Sequence, residues 1–272
     1  MTDVRVIPCL LLKNTGLVKT TRFADPVYLG DVINVVKLFN DMEADELGIL
    51  DVTATREGRR PSFGLLAKVA ANAFMPLSYG GGVADLEDIH KILALGFEKV
   101  IIGSRAVDEP TLIDQAARAV GSQSVVVSID VKRHLSAHYE VYSHGGKRRT
   151  RTNPVDFAGQ AEQRGAGEIL LTAIDRDGTM TGYDLDLIRA VSEAVTVPVI
   201  ASGGAGHIRH FGEAARSGAS AVAAASLFVF HGPRRAVLIS FPTREQLERV
   251  LALPPAAPAP GGKGCRDDAA DC

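Results

Sequence analysis

The sequence predicts an α/β protein, a single (βα)8 TIM barrel built of two half-barrel repeats. Three observations carry this. Near-continuous apolar runs alternate with amphipathic stretches along the whole chain. The stretch Ile200-Ala-Ser-Gly-Gly-Ala-Gly206, a strand running into a glycine loop and a helix, has an earlier echo in Met75-Pro-Leu-Ser-Tyr-Gly-Gly-Gly-Val83. One constant offset then lays Pro76 on Pro198, Gly81 on Gly203, Gly82 on Gly204 and Ser104 on Ser226, and a slightly smaller one lays Ile7–Lys13 over Val126–Lys132. A repeat of half the chain is too long for a solenoid. It suits two four-strand, four-helix units that close on each other.

The first strand, Arg5–Leu11, is apolar at nearly every position, as expected of a parallel strand covered on both faces. The same character marks Leu47–Val52, Pro76–Tyr79, Lys99–Gly103, Ser124–Val131, Glu168–Ile174, Pro198–Ala201 and Ala221–Ala225. Helical periodicity fills the intervals: Asp31–Asp41, Phe63–Ala73, Leu86–Leu95, Thr111–Val120, Pro154–Gln163, Asp184–Glu193, His207–Ser217 and Arg244–Leu251. After the fifth strand, Ala137–Ser143 alternates Tyr139 and Val141 with polar residues. This predicts a small hairpin insert near 137–151, ending in the basic run Lys147-Arg-Arg149, which reads as a solvated face or as a flap over a phosphate. The barrel is expected over 1–253. From Pro254 the chain turns to Pro, Ala, Gly and charge, and a disordered tail is expected over 254–272.

Bulk properties exclude several functions. The 272 residues suit one barrel, and 46% hydrophobic content supports a large core. No segment approaches the ~18 uncharged apolar residues of a membrane span, and the N-terminus has no signal-peptide shape. A net charge of −2 gives no reason to expect nucleic acid or an acidic membrane as partner. Three cysteines are too few for a disulfide scaffold, and Cys9 in its apolar strand reads as core. A reduced, cytoplasmic protein is expected. Histidines 134, 138, 144, 207, 210 and 231 show no metal spacing on one element, so neither metal nor cofactor is expected.

Chemistry in such a barrel belongs at the C-terminal ends of the strands. There the first half offers Lys13, Lys19, Asp51, Gly81, Gly82 and Ser104, and the second half Asp130, Thr172, Asp177, Gly178, Gly204 and Ser226. Glycine amides and hydroxyls at βα turns cradle phosphate. Gly81, Gly82 and Ser104 form one cradle, and Asp177, Gly178, Gly204 and Ser226 the other. Two cradles imply a small substrate phosphorylated at both ends. Asp130 and Asp51 each read either as site residues or as braces of strand-end backbone.

The motifs Ile7-Pro-Cys-Leu10, Gly121-Ser-Gln-Ser-Val-Val-Val-Ser-Ile-Asp130, Arg164-Gly-Ala-Gly-Glu-Ile-Leu-Leu-Thr172, Ile174-Asp-Arg-Asp-Gly-Thr179 and Ala201-Ser-Gly-Gly-Ala-Gly206 together resemble the HisF family. HisF is the cyclase subunit of imidazole glycerol phosphate synthase. The resemblance runs from Arg5 to about Leu251. It implies a barrel fed with ammonia by a HisH-like glutaminase at its N-terminal face. Ammonia passes through the core and attacks a bis-phosphorylated aminoimidazole-carboxamide ribulotide. It further implies that Asp130 is one of two general acid/base residues and that Lys19 contacts substrate. Arg5, Glu46, Lys99 and Glu168 match the charged ring taken to gate ammonia. From the residues alone, these four stand at the starts of strands one, two, four and six. They could pair across a narrow mouth or be ordinary solvated charges.

One departure stands out. Where the family writes Ile-Pro-Cys-Leu-Asp-Val-Lys-Asp-Gly, this chain has Ile7-Pro-Cys-Leu-Leu-Leu-Lys-Asn-Thr15, so the first catalytic aspartate is Leu11. Gly103 replaces the family's Asn, and Thr20 its Gly. With Gly16-Leu-Val-Lys-Thr20, Phe228-Val-Phe-His-Gly232 and Arg235-Ala-Val-Leu-Ile-Ser240, the chain is most similar to HisF-like paralogues associated with acetamidino modification of surface sugars. That resemblance implies a conduit supplying ammonia to a separate sugar amidotransferase. The alternatives are a working histidine-pathway cyclase and a non-catalytic scaffold that docks the glutaminase. The related isomerase barrel also wants a carboxylate at the end of strand one, so Leu11 counts against it.

Overall fold

The apolar runs become parallel strands and the amphipathic stretches the helices that cover them. The computed structural model describes residues 4–134 and 138–252, so the tail expected over 254–272 lies outside the described residues. The barrel strands are β1 (Arg5–Lys13), β2 (Leu47–Asp51), β3 (Leu77–Gly80), β4 (Lys99–Ile102), β5 (Val125–Arg133), β6 (Glu168–Ala173), β7 (Val199–Ser202) and β8 (Ala221–Ala224). Each pairs in parallel with the next, and β8 returns to β1 with Ala221 opposite Arg5, which closes the barrel.

The covering helices are α1 (Val32–Asp41), α2 (Phe63–Ala70), α3 (Leu86–Ala94), α4 (Thr111–Val120), α5 (Pro154–Gln163), α6 (Leu185–Ser192), α7 (Arg209–Arg216) and α8 (Arg244–Leu251). Local chemistry fixes where many of them start. The side chains of Asp31, Asp85, Asn153 and Asp184 each accept a first-turn N–H, and Thr243 with Gln246 forms a reciprocal capping box. Among the described residues no helix is long and apolar enough to cross a membrane.

Alternation along β1 sorts its side chains between two cores. Val6, Leu10 and Leu12 join the layer between sheet and helices, whereas Ile7, Cys9 and Leu11 join Val126, Leu170 and Ile200 on the barrel axis. Small residues on that axis, Gly48, Ser78 and Ala223, leave a cavity of about 20 Å³ beneath the mouth. That is room for one water-sized molecule.

Two loops at the C-terminal end carry structure that hydrophobic patterning does not announce. Beyond β1 the chain folds back as an antiparallel hairpin, Gly16–Thr21 with Ala24–Asp31, whose first strand pairs Val18 with Leu11. Beyond β8 a small hairpin pairs Phe230–His231 with Ala236–Val237. The chain after β5 forms a third, with Tyr139–Ser143 antiparallel to β5 and Arg148–Arg149 on its outer side.

Candidate active site at the barrel mouth

A cleft of about 880 Å³ opens at the C-terminal ends of the strands, and its floor is polar on one side only. On β5, β6 and β7 the neighbours in register are Asp130, Thr172 and Ser202. On β1, β2 and β3 they are Leu11, Leu50 and Gly80. The repeat places Leu11 where the second half has Asp130, so the two halves differ at this level of the floor, apolar on one and a carboxylate on the other. Enclosure by protein, and then the nearby Asp177 carboxylate, push the Asp130 carboxyl up to about 7, while the Ser128 hydroxyl pulls it down. At neutral pH Asp130 is therefore divided between acid and base forms, the condition that suits proton transfer. Cys9 lies beneath, buried, with its thiol pushed up to about 12 chiefly by desolvation. It stays protonated and is no nucleophile.

The hairpin after β1 is latched across the mouth onto the second half. Lys19 is buried, and its ammonium donates to both Asp177 carboxylate oxygens at 3.0 Å and to the Thr20 carbonyl at 2.8 Å. The Arg22 N–H donates to the Asp177 carbonyl at 2.8 Å, and its guanidinium to the Asp175 carbonyl at 3.1 Å. Arg22 and Phe23 take positive φ there, a conformation that non-glycine residues hold only when their surroundings enforce it.

The two groups read as cradles are each built on a backbone that admits no side chain. Gly81 has φ +118°, and a Cβ there would lie 2.4 Å from the Asp51 carbonyl. Asp51 in turn accepts from the Thr53 and Ala54 amides at 3.0 and 2.9 Å and braces that loop. Gly204 has φ +115°, with a Cβ position 2.2 Å from the Gly182 carbonyl. Ser104 and Ser226 open short helical turns, Ser104–Asp108 and Ser226–Val229. The Ser104 hydroxyl accepts from the His144 N–H at 2.7 Å, whereas that of Ser226 is buried with no hydrogen-bond partner among the described residues. Gly82, Thr172, Asp177, Gly178 and Gly204 line the same cleft. Such donor sets can hold a tetrahedral oxyanion on each side.

At the opposite end the four charged residues meet in a closed ring. Arg5 donates to Glu46 at 2.6 Å and to Glu168 at 2.7 Å, and Lys99 reaches the same two carboxylates at 3.1 and 3.2 Å. Each cation bridges both anions. Glu46 also lines the small axial cavity, so the ring forms the floor beneath it.

A family model described as histidine biosynthesis protein matches residues 5–233. The chain is 48% identical over 245 residues to a Pseudomonas aeruginosa protein provisionally named imidazole glycerol phosphate synthase subunit hisF2, covering 90% of this chain and 98% of that one. The chain belongs to the HisF family. It is 45% identical to a Leptospira interrogans protein provisionally named as subunit HisF, over 92% of this chain and all of the relative. It is 47% identical to subunit HisF of Hyphomonas neptunium, over 85% of this chain and 91% of the relative. Membership makes this a HisF-type barrel of the cyclase family.

This HisF-family barrel also contains groupings that spacing along a single element does not show. The Lys19–Asp177 pair joins residues 158 apart in sequence. His134, His138 and Glu140, at the base of the hairpin after β5, bring ligand atoms within 4.8 Å of one another. His134 Nε2 lies 2.9 Å from a Glu140 oxygen but off a hydrogen-bonding angle. The Glu140 carboxylate is already held by Arg149 and the Arg151 N–H. A reading by sequence spacing sees neither histidine as part of a cluster, because the hairpin brings them together.

Proposed function

We propose that the chain is a HisF-like synthase subunit that accepts ammonia from a HisH-like glutaminase docked at the N-terminal face. Ammonia passes the ring of Arg5, Glu46, Lys99 and Glu168, crosses the axial cavity and emerges at the mouth. The observation that carries this reading is the pairing of a complete charged ring with a mouth that has Leu11 opposite Asp130. The conduit is kept and one of two proton-transfer groups is missing. Similarity to the sugar-modifying paralogues makes amidine (acetamidino) formation on a surface sugar, by a separate amidotransferase, the preferred destination of the ammonia. Gly81, Gly82 and Ser104 at one end, and Gly178, Gly204 and Ser226 at the other, bind a small phosphorylated ligand, with Lys19, Thr172 and Asp177 beside it.

A second reading has its own support. Asp130 titrating near neutrality, together with both cradles, is what a histidine-pathway cyclase working with a single carboxylate would need.

The gate is tested by Glu46→Ala combined with Lys99→Ala, which removes one charge of each sign and leaves the Arg5–Glu168 pair intact. Glutamine-driven turnover of the ribulotide, measured with the glutaminase, should fall about tenfold or more relative to ammonia-driven turnover. An unchanged ratio would remove the gate from this reading.

A further inference from the structure

The hairpin after β5 carries a basic run that neither cradle uses, and its turn lies directly over the first cradle. The His144 N–H is tied to the Ser104 hydroxyl, and Gly145 packs against the stem of Arg56, with a Cβ position 3.2 Å from Arg56 Cδ. Arg56, from the loop after β2, and Lys147, from the hairpin turn, both line the cleft there.

Most basic side chains around the mouth are already matched. Lys19 is held by Asp177, Arg59 by Glu57 and Asp51, Arg60 by Asp85 and Asp88, and Arg105 by Glu109. Arg56 and Lys147 differ: among the described residues neither side chain has a hydrogen bond or an ion pair. Two carboxylates that line the same cleft are taken, Asp108 by Arg148 and Asp51 by its own loop and Arg59. Lys13, exposed at the end of β1, is also unengaged and adds to the positive side, while Asp25, Glu57 and Asp108 are exposed carboxylates lining the cleft, Glu57 held by Arg59 and Asp108 by Arg148. Beside the second cradle, Arg235 is engaged: it donates to the Gly178 carbonyl and lies against the Phe230 ring.

We infer that Arg56 and Lys147 form a third anion subsite stacked outside the first cradle, so that the ligand end bound there is a diphosphate. This rests on reading Gly81, Gly82 and Ser104 as a phosphate cradle. The inner phosphate sits on the glycine amides and Ser104. The outer one meets a guanidinium suited to two phosphate oxygens and an ammonium from the facing loop. The cleft volume leaves space for a further group beyond it, as in a nucleoside diphosphate or its conjugates.

Calorimetric titration of the full chain with inorganic diphosphate and with orthophosphate, at fixed ionic strength, tests this. Diphosphate is expected to bind about tenfold tighter or more. The double variant Arg56→Ala/Lys147→Ala should erase that margin and leave orthophosphate binding within about twofold; both side chains are exposed, so the fold should be retained. Ser104→Ala, and not Ser226→Ala, should weaken diphosphate. Equal affinities, a margin that survives the double variant, or weakening by Ser226→Ala alone would each overturn the third subsite while leaving the cradles standing. If neither anion binds, the cradle reading falls and this inference with it.

Discussion

Replacing Asp130 with Asn is expected to cut ammonia-dependent turnover of the ribulotide by about 10²–10⁴-fold and, above neutral pH, to make the protein more stable. Both effects have one cause. Asp130 is the one carboxylate in its layer of the mouth, and its surroundings hold its pKa near 7 in place of 3.8. The folded protein thus keeps a proton that the unfolded chain gives up. Native stability therefore falls as pH rises from about 4 to about 7, and the penalty is fully present above that range. Asn carries no such penalty. At ~1.4 kcal/mol per pKa unit, the advantage of the variant is on the order of 4 kcal/mol at pH 8, and it vanishes at pH 4. For a chain of this size that corresponds to roughly 8–16 °C in melting temperature. Thermal melts of both proteins at pH 5 and pH 8 check this. An advantage that does not grow with pH would show that Asp130 ionises as freely as a surface carboxylate.

The reciprocal change, Leu11→Asp, should raise ammonia-driven cyclisation of the ribulotide by about 10²-fold or more. Leu11 stands in the layer of the floor that Asp130 occupies on the other half, next to Leu50 on β2 and Val18 on the overlying hairpin. A carboxylate placed there enters an apolar setting, and burial should raise its pKa as it does for Asp130. The introduced polar group should cost about 1–3 kcal/mol of stability. Leu11→Asn separates the two consequences, since it brings a polar side chain of similar shape without proton transfer. The gain should appear with Asp and be absent with Asn. If neither variant gains, the pocket has diverged beyond position 11. Gly103 and Thr20 are the first places to look, since Thr20 already directs its hydroxyl toward Asp177.

The barrel was legible because its signals are local or periodic. Each strand is a continuous apolar run, and the internal repeat superposes Gly81 and Gly82 on Gly203 and Gly204, and Ser104 on Ser226. The glycines are readable for a physical reason: at Gly81 and Gly204 a neighbouring carbonyl occupies the space of a side chain. The resemblance supplied the ring at the bottom as a set, and its closed geometry follows from four strand starts converging on one axis. Less could be read at the mouth. The hairpin from Gly16 to Asp31 has no strong alternation, since its outer strand, Ala24–Asp31, is mostly exposed and lies at an edge. Its latch on Asp177 joins distant residues, and so does the seat of Arg56 on Gly145. The Asp51 reading stayed open in the sequence, because only the fold shows its oxygen accepting from Thr53 and Ala54.

The most direct test of the proposed function is ammonia-dependent cyclisation by the purified native chain, with the aminoimidazole-carboxamide ribulotide as substrate and a HisF retaining both aspartates as reference. Turnover lower than the reference by about 10²–10⁴-fold, the usual contribution of a general acid–base group, is expected of a barrel whose ammonia goes to another acceptor. Turnover within about tenfold of the reference would contradict it and make Asp130 sufficient for a histidine-pathway cyclase.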